Sequence, residues 1–122
     1  MIIAVDFDGV IVEDKFPEIG EPDRELVALL QFAKDAGHKL ILWTSRVDDR
    51  LEEAVRTCTE LGLEFDAIND GEPENLALYG TNPRKVFADI YIDDRALGFS
   101  KFRTYLALTE IIKYGGIIDG KR

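Results

Sequence analysis

The chain is 122 residues long, 46% apolar and 32% charged, with 24 acids against 15 bases and a net charge of −9. That length suits one domain with a real core, and that acidity argues against a protein that coats an extended nucleic acid backbone. With one cysteine (Cys58), one histidine (His38) and two serines (Ser45, Ser100), an intrachain disulfide is excluded. A Cys/His zinc site and a Ser-His-Asp hydrolase have almost no residues to draw on, and no Walker loop or G-x-G-x-x-G occurs, so any chemistry must be carboxylate chemistry.

Four short apolar runs each end in a polar residue. Ile2-Ile3-Ala4-Val5 ends at Asp6, Lys39-Leu40-Ile41-Leu42-Trp43 at Thr44, Phe65-Asp66-Ala67-Ile68 at Asn69, and Ile90-Tyr91-Ile92 at Asp93. The first, second and fourth are continuous rather than alternating, the pattern of strands covered on both faces. Between them lie helical spacings. Pro22 is expected at a first helical position, with Leu26, Leu29, Leu30 and Ala33 on one stripe and Gly37 as the stop. A second helix is expected from about Asp48 to Gly62, capped by Thr44 or Ser45, and a last one from about Lys101 to Tyr114. Residues 70–83 read as loop with one short helix near Leu76. The alternation predicts an α/β three-layer sandwich around a central parallel sheet, over residues 1–122 as one domain. No apolar run approaches the length of a membrane span, and no leader precedes the first run, so the expected compartment is cytoplasmic, without a membrane partner.

In an open parallel sheet, ligands bind beyond the carboxyl ends of the strands. The residues expected there include Asp6, Asp8, Thr44, Ser45, Asn69, Asp93 and Asp94. Asp6-Phe7-Asp8-Gly9 is the sharpest signal. Residues two apart on an extended segment face one side, roughly 6 to 7 Å apart at the backbone, and Gly9 lets the chain turn away after them. Hard carboxylate oxygens at two strand ends suit Mg²⁺, which shares its octahedral shell with phosphate oxygens. A hydroxyl (Thr44) and a lysine (Lys85, with Arg84 adjacent) would orient and neutralise the phosphoryl group. With no other nucleophile suitably placed, an aspartate must attack, and its neighbour in the D-x-D pair would carry the proton.

The order of these segments resembles the haloacid dehalogenase-like (HAD) superfamily of phosphohydrolases. Ile2-Ile3-Ala4-Val5-Asp6-Phe7-Asp8-Gly9-Val10 resembles its first motif, and Leu40-Ile41-Leu42-Trp43-Thr44-Ser45-Arg46 its second. Lys85 stands where the third motif's lysine is expected, and Ile90-Tyr91-Ile92-Asp93-Asp94 resembles the fourth. The likeness covers residues 2 to about 98. It implies a Rossmann-like core and a Mg²⁺-dependent phosphatase, a phosphoric monoester hydrolase working through an aspartyl phosphate on Asp6. Asp8 would be the general acid and base, and an acid there favours phosphate esters over dehalogenation or ATP-driven pumping. The metal would be held by Asp6, the backbone carbonyl of Asp8, and Asp93, with Asp94 directly or through water. Thr44 would bind the phosphoryl group, and Lys85 or Arg84 would balance charge.

The sequence leaves little room for the cap domain that the family usually carries, so the chain resembles an uncapped member. Residues 9–21 suit the family's small hairpin-like flap, and the resemblance implies an open site of the kind that family pairs with large phosphorylated substrates or with a neighbouring subunit as lid, so a homo-oligomer enters the expectation. A local basic patch (Arg46, Arg50, Arg84, Lys85, Arg95) would be the counterweight to the acidic surface. His38 is expected at a partly exposed turn, Trp43 in the core, and Lys15 and Phe16 at an exposed loop tip. Two other classes use similar residues: a receiver-like phospho-acceptor, whose acidic pair comes early rather than late, and a catalytically silent phosphate- or Mg²⁺-binding module.

Overall fold

The structure, a computed structural model, describes residues 1–119, with side chains to residue 113. Its elements run β1 (Ile2–Val5), α1 (Arg24–Asp35), β2 (Lys39–Leu42), α2 (Asp48–Glu60), β3 (Ala67–Ile68), α3 (Pro73–Tyr79), β4 (Ile90–Ile92) and α4 (Lys101–Asp119). The four strands form one parallel sheet in the order β3-β2-β1-β4. The chain therefore steps outward from β1 through β2 to β3, then crosses back to place β4 on the other side of β1. That reversal makes the gap between β1 and β4 the switch point at which such sheets bind ligands.

The continuity of the apolar runs follows from burial on both faces. Ile3, Val5, Leu40, Leu42 and Ile92 pack with Leu26 and Leu30 of α1, Ala54 and Cys58 of α2, and Leu108 and Ile111 of α4. The alternate residues Ile2, Ala4 and Ile41 pack on the opposite face with Val86, Ala88, Trp43 and Ala67. Full burial of each such aliphatic side chain contributes about 1.5–3 kcal/mol, so the sheet is the rigid part of the molecule. This is the three-layer α/β arrangement expected from the sequence, with a thin second layer in which α3 buries no side chain. Among the described residues, no helix is long and apolar enough to cross a membrane.

Several boundaries differ from the sequence reading. Pro22 does not open α1. It pairs with Val12 in an isolated antiparallel bridge, and Asp23 caps the helix instead, its Oδ1 accepting from the Leu26 N–H at 3.0 Å. Neither Thr44 nor Ser45 caps α2. The cap residue is Val47, without a side-chain hydrogen bond. β3 is shorter than the apolar run around it, because only Ala67 and Ile68 pair with Ile41 and Leu42. α4 continues past Gly115 and Gly116 to Asp119; the last three residues of the tail whose role the sequence left open, 120–122, lie outside the described residues. His38 is buried, its Nδ1 2.8 Å from the N-terminal amine and its Nε2 3.3 Å from the Ile111 carbonyl oxygen.

Asp23 ties three elements together. Its Oδ2 accepts from Tyr105 Oη at 2.6 Å and from Lys101 Nζ at 3.0 Å, and Lys101 also donates to the Val10 carbonyl. Burial pushes the Asp23 carboxyl up, but the hydrogen bonds from Tyr105, Leu26 and Lys101 together hold it below the usual carboxylate range. A carboxyl depressed in the fold contributes stability above its unfolded pKa and loses it as pH falls through the folded value. Asp23→Ala is expected to lower stability by about 2 kcal/mol at pH 7, through the lost cap and charged hydrogen bonds. In urea unfolding, the gap between wild type and Asp23→Ala should close as pH drops below about 4.

Candidate active site

Parallel register alone assembles the site. Val5 pairs with Ile92 and with Leu42, so the next residue of each strand lies beside Asp6 at the carboxyl edge. The Asp6 N–H donates to the Ile92 carbonyl at 2.9 Å, and the Trp43 N–H to the Val5 carbonyl at 2.8 Å. The consequence is convergence: Asp6, Asp93 and Asp94 each offer a carboxylate oxygen, all within 4.8 Å of one another. Gly9 makes the close approach possible. Its φ is +83°, and a Cβ there would lie 2.1 Å from Asp94 Oδ2, so any side chain would drive Asp94 out of the cluster.

The cluster is electrostatically uncomfortable. Burial, with the charges of Asp93 and Asp94 adding to it, pushes the Asp6 carboxyl up from 3.8 to about 7, although the Phe7 N–H donates to its Oδ1 at 2.7 Å and pulls the other way. Three carboxyl groups in one small volume, one of them reluctant to ionise, form a set that could hold a hard divalent cation.

Asp8 goes elsewhere. Its carboxylate is paired with Arg46, Nε to Oδ2 at 2.7 Å and Nη2 to Oδ1 at 2.8 Å. The expected metal set of Asp6, Asp8, Asp93 and Asp94 is thus divided: as side chains, Asp6, Asp93 and Asp94 form the cluster, and Asp8 faces a buried guanidinium. Asp8 still borders the same cleft, a cavity of about 640 Å³ whose walls also include Thr44, Arg46, Arg95 and the flap residues Asp14 and Phe16.

Thr44 is fixed from both sides. Its N–H donates to Asn69 Oδ1 at 2.8 Å, and its Oγ1 accepts from the Arg46 N–H at 3.1 Å, which leaves the hydroxyl hydrogen to donate. Ser45 borders the cleft beside it, whereas Asn69 acts through Thr44. Lys85 is not brought to the cleft. It is exposed, with its Nζ 5.5 Å from the centre of the Tyr91 ring, and the exposed Arg84 does not line the cleft either. The cations on the cleft wall are Arg46 and Arg95. Trp43 is half-buried against the second core cluster and also borders the cleft, and Phe16 is exposed on the flap as expected. The role of Arg46 was missed in the sequence, where it read as one member of a basic patch. The available signal was a single arginine four residues beyond the end of β2, in a chain with four aspartates expected at the same edge.

No protein-family model matches the sequence, and no curated protein does. A solved structure of a conserved protein from Bacteroides thetaiotaomicron is 41% identical, with a TM-score of 0.80 over 94% of this chain and 91% of that one. At that identity and coverage the chain belongs to the same family as the Bacteroides thetaiotaomicron protein.

A carboxyl raised in the fold stabilises below its unfolded pKa, and that contribution is lost as pH rises through the folded value. Stability of the cation-free protein should therefore fall between about pH 4 and the raised value of about 7. Asp6→Asn removes that slope. Melting in a chelator should show the variant more stable than wild type at pH 8, on the order of 1–2 kcal/mol after discounting for solvent screening, and no more stable at pH 4.5.

Proposed function

We propose that the chain is a Mg²⁺-dependent phosphatase of the haloacid dehalogenase-like type, a phosphoric monoester hydrolase that works through an aspartyl phosphate on Asp6. The observation that carries the reading is the meeting of Asp6, Asp93 and Asp94 at the switch point, with Asp8 and the Thr44 hydroxyl on the same cleft. It agrees with the roles implied by the motif order.

Mg²⁺ would be held by Asp6, Asp93 and Asp94, with the Asp8 backbone carbonyl as the further ligand the resemblance implies. When bound, the cation supplies positive charge against the phosphoryl oxygens, which this acidic cleft otherwise repels. Asp6 is the nucleophile, held at a rigid strand end by its backbone bond to Ile92. Its carboxylate oxygen bonds to phosphorus as the ester P–O bond breaks, and a protonated Asp8 gives its proton to the leaving oxygen. A water then bonds to phosphorus and passes a proton to the Asp8 carboxylate. The P–O bond to Asp6 breaks, inorganic phosphate leaves, and Asp6 and Asp8 return to their starting states. Thr44 donates its hydroxyl hydrogen to a phosphoryl oxygen, and Arg95 on the cleft wall supplies the charge balance expected of Lys85.

The open cleft and the short flap suit a phosphate ester whose bulk extends into solvent. We also read the protein as cytoplasmic, since its one cysteine, Cys58, is a buried free thiol rather than a disulfide partner.

Purified protein is expected to hydrolyse p-nitrophenyl phosphate through many turnovers with Mg²⁺ and to fall to background in chelator. Asp6→Asn should lower kcat by about 1,000-fold or more. A cation-independent rate, or an Asp6→Asn rate equal to wild type, would remove Asp6 as nucleophile. No turnover of any ester by wild type would leave the two other readings, a receiver-like phospho-acceptor if the protein still becomes phosphorylated on aspartate and a silent binding module if it does not.

A further inference from the structure

The Arg46 side chain is 1% exposed and is enclosed by acceptors. A guanidinium has five N–H donors, and here the acceptors number five as well. Two are the Asp8 oxygens. Two are flap carbonyls, Pro17 at 3.3 Å from Nη1 and Glu18 at 3.0 Å from Nη2. The fifth is the Arg50 carbonyl on α2, 3.4 Å from Nη1. Two rings lie against the guanidinium carbon: Phe7, between the two aspartates of the D-x-D pair, at 5.2 Å, and Phe16 of the flap at 5.0 Å. The flap itself is a hairpin-like excursion closed at its base by the Glu13 N–H on the Glu21 carbonyl, 2.8 Å, and by the Val12–Pro22 bridge.

Burying a guanidinium costs several kcal/mol unless its partners are well placed, and an apolar side chain would join flap to core at less cost. What an apolar residue could not do is set the orientation of a carboxylate. We propose that Arg46 is a positioning residue: it locks the flap over residues 13–22 to the Asp8 carboxylate, so that a docked flap and an Asp8 aimed for water activation are a single arrangement. The proposal rests on the phosphatase reading above. Each Asp8 oxygen spends one acceptor direction on Arg46 and keeps another, which leaves it able to take the proton of the attacking water while its plane is fixed. Lysine carries the charge but lacks the fork, so it cannot span both oxygens and the flap carbonyls together.

The coupling separates the two half-reactions. With p-nitrophenyl phosphate, a good leaving group, attack by Asp6 needs little help from Asp8, whereas release of phosphate by water still needs a general base, a contribution of about 100- to 10,000-fold. Rapid-quench measurements on Arg46→Lys and Arg46→Gln should therefore show a retained burst of p-nitrophenol, a slower steady state, and phosphorylated Asp6 accumulating at least roughly tenfold over wild type by mass spectrometry. In the same variants, limited trypsin cleavage after Lys15 on the flap should accelerate, while Asp6→Asn cleaves like wild type. Burst and steady state falling in equal proportion, or unchanged cleavage after Lys15, would overturn the proposal. If an Arg46 variant loses its cooperative melt, Phe16→Ala decides, because its exposed ring can be removed without opening the core. It should show both effects in the same direction, and neither effect appearing overturns the coupling. Wild type that never becomes phosphorylated on Asp6 would instead sink the phosphatase reading and the proposal with it; turnover by wild type with silent variants sinks the proposal alone.

Discussion

Three like-charged carboxylates are held together at one edge of this sheet by a lattice of backbone hydrogen bonds and apolar packing that does not depend on them. The parallel register of β1 with β4 puts Asp6 next to Asp93 whether or not the charges approve, because slipping the register would expose Ile3, Val5 and Ile92. The glycine at position 9 removes the one atom that would keep Asp94 away. The fold thus stores electrostatic repulsion where the strand order reverses, and under the proposed reading a divalent cation would relieve it.

The two aspartates of the D-x-D pair sit in opposed surroundings. Asp6 is half-buried among like charges, and Asp8 meets a fully engaged guanidinium. Phe7, between them, turns away into the core and rests against Arg46, so one residue both separates the pair and helps seat the countercharge. The flap joins this unit through Pro17, Glu18 and Phe16 rather than through any cap domain.

What could be read in advance follows the range of the interactions involved. Continuous runs such as Ile2–Val5 and Lys39–Leu42 declare strands buried on both faces, because the requirement is local in sequence. From them the parallel sheet, and the residues at its carboxyl edge, were legible. Pro22 misled because its fixed φ suits a helix start and a bridge alike; Asp23 one residue later wins through bonds to Leu26, Lys101 and Tyr105, two of them distant in sequence. His38 looked like a turn residue, yet the N-terminal amine and the Ile111 carbonyl enclose it. Arg46 was similarly opaque, since four of the five acceptors around its guanidinium come from Asp8, Pro17 and Glu18, far back in the chain. Lys85 matched a motif position by order along the chain, but the loop before β4 carries it to Tyr91.

The central claim is that Asp6, Asp93 and Asp94 form one cation site. Anomalous diffraction from crystals soaked in Mn²⁺, a scattering substitute for Mg²⁺, tests it without reference to any substrate. The account predicts one strong peak within coordination distance of oxygens from Asp6 and Asp93, lost in crystals of Asp93→Asn. Well-ordered crystals with no peak at the β1–β4 edge, or a peak that survives that substitution, would contradict it.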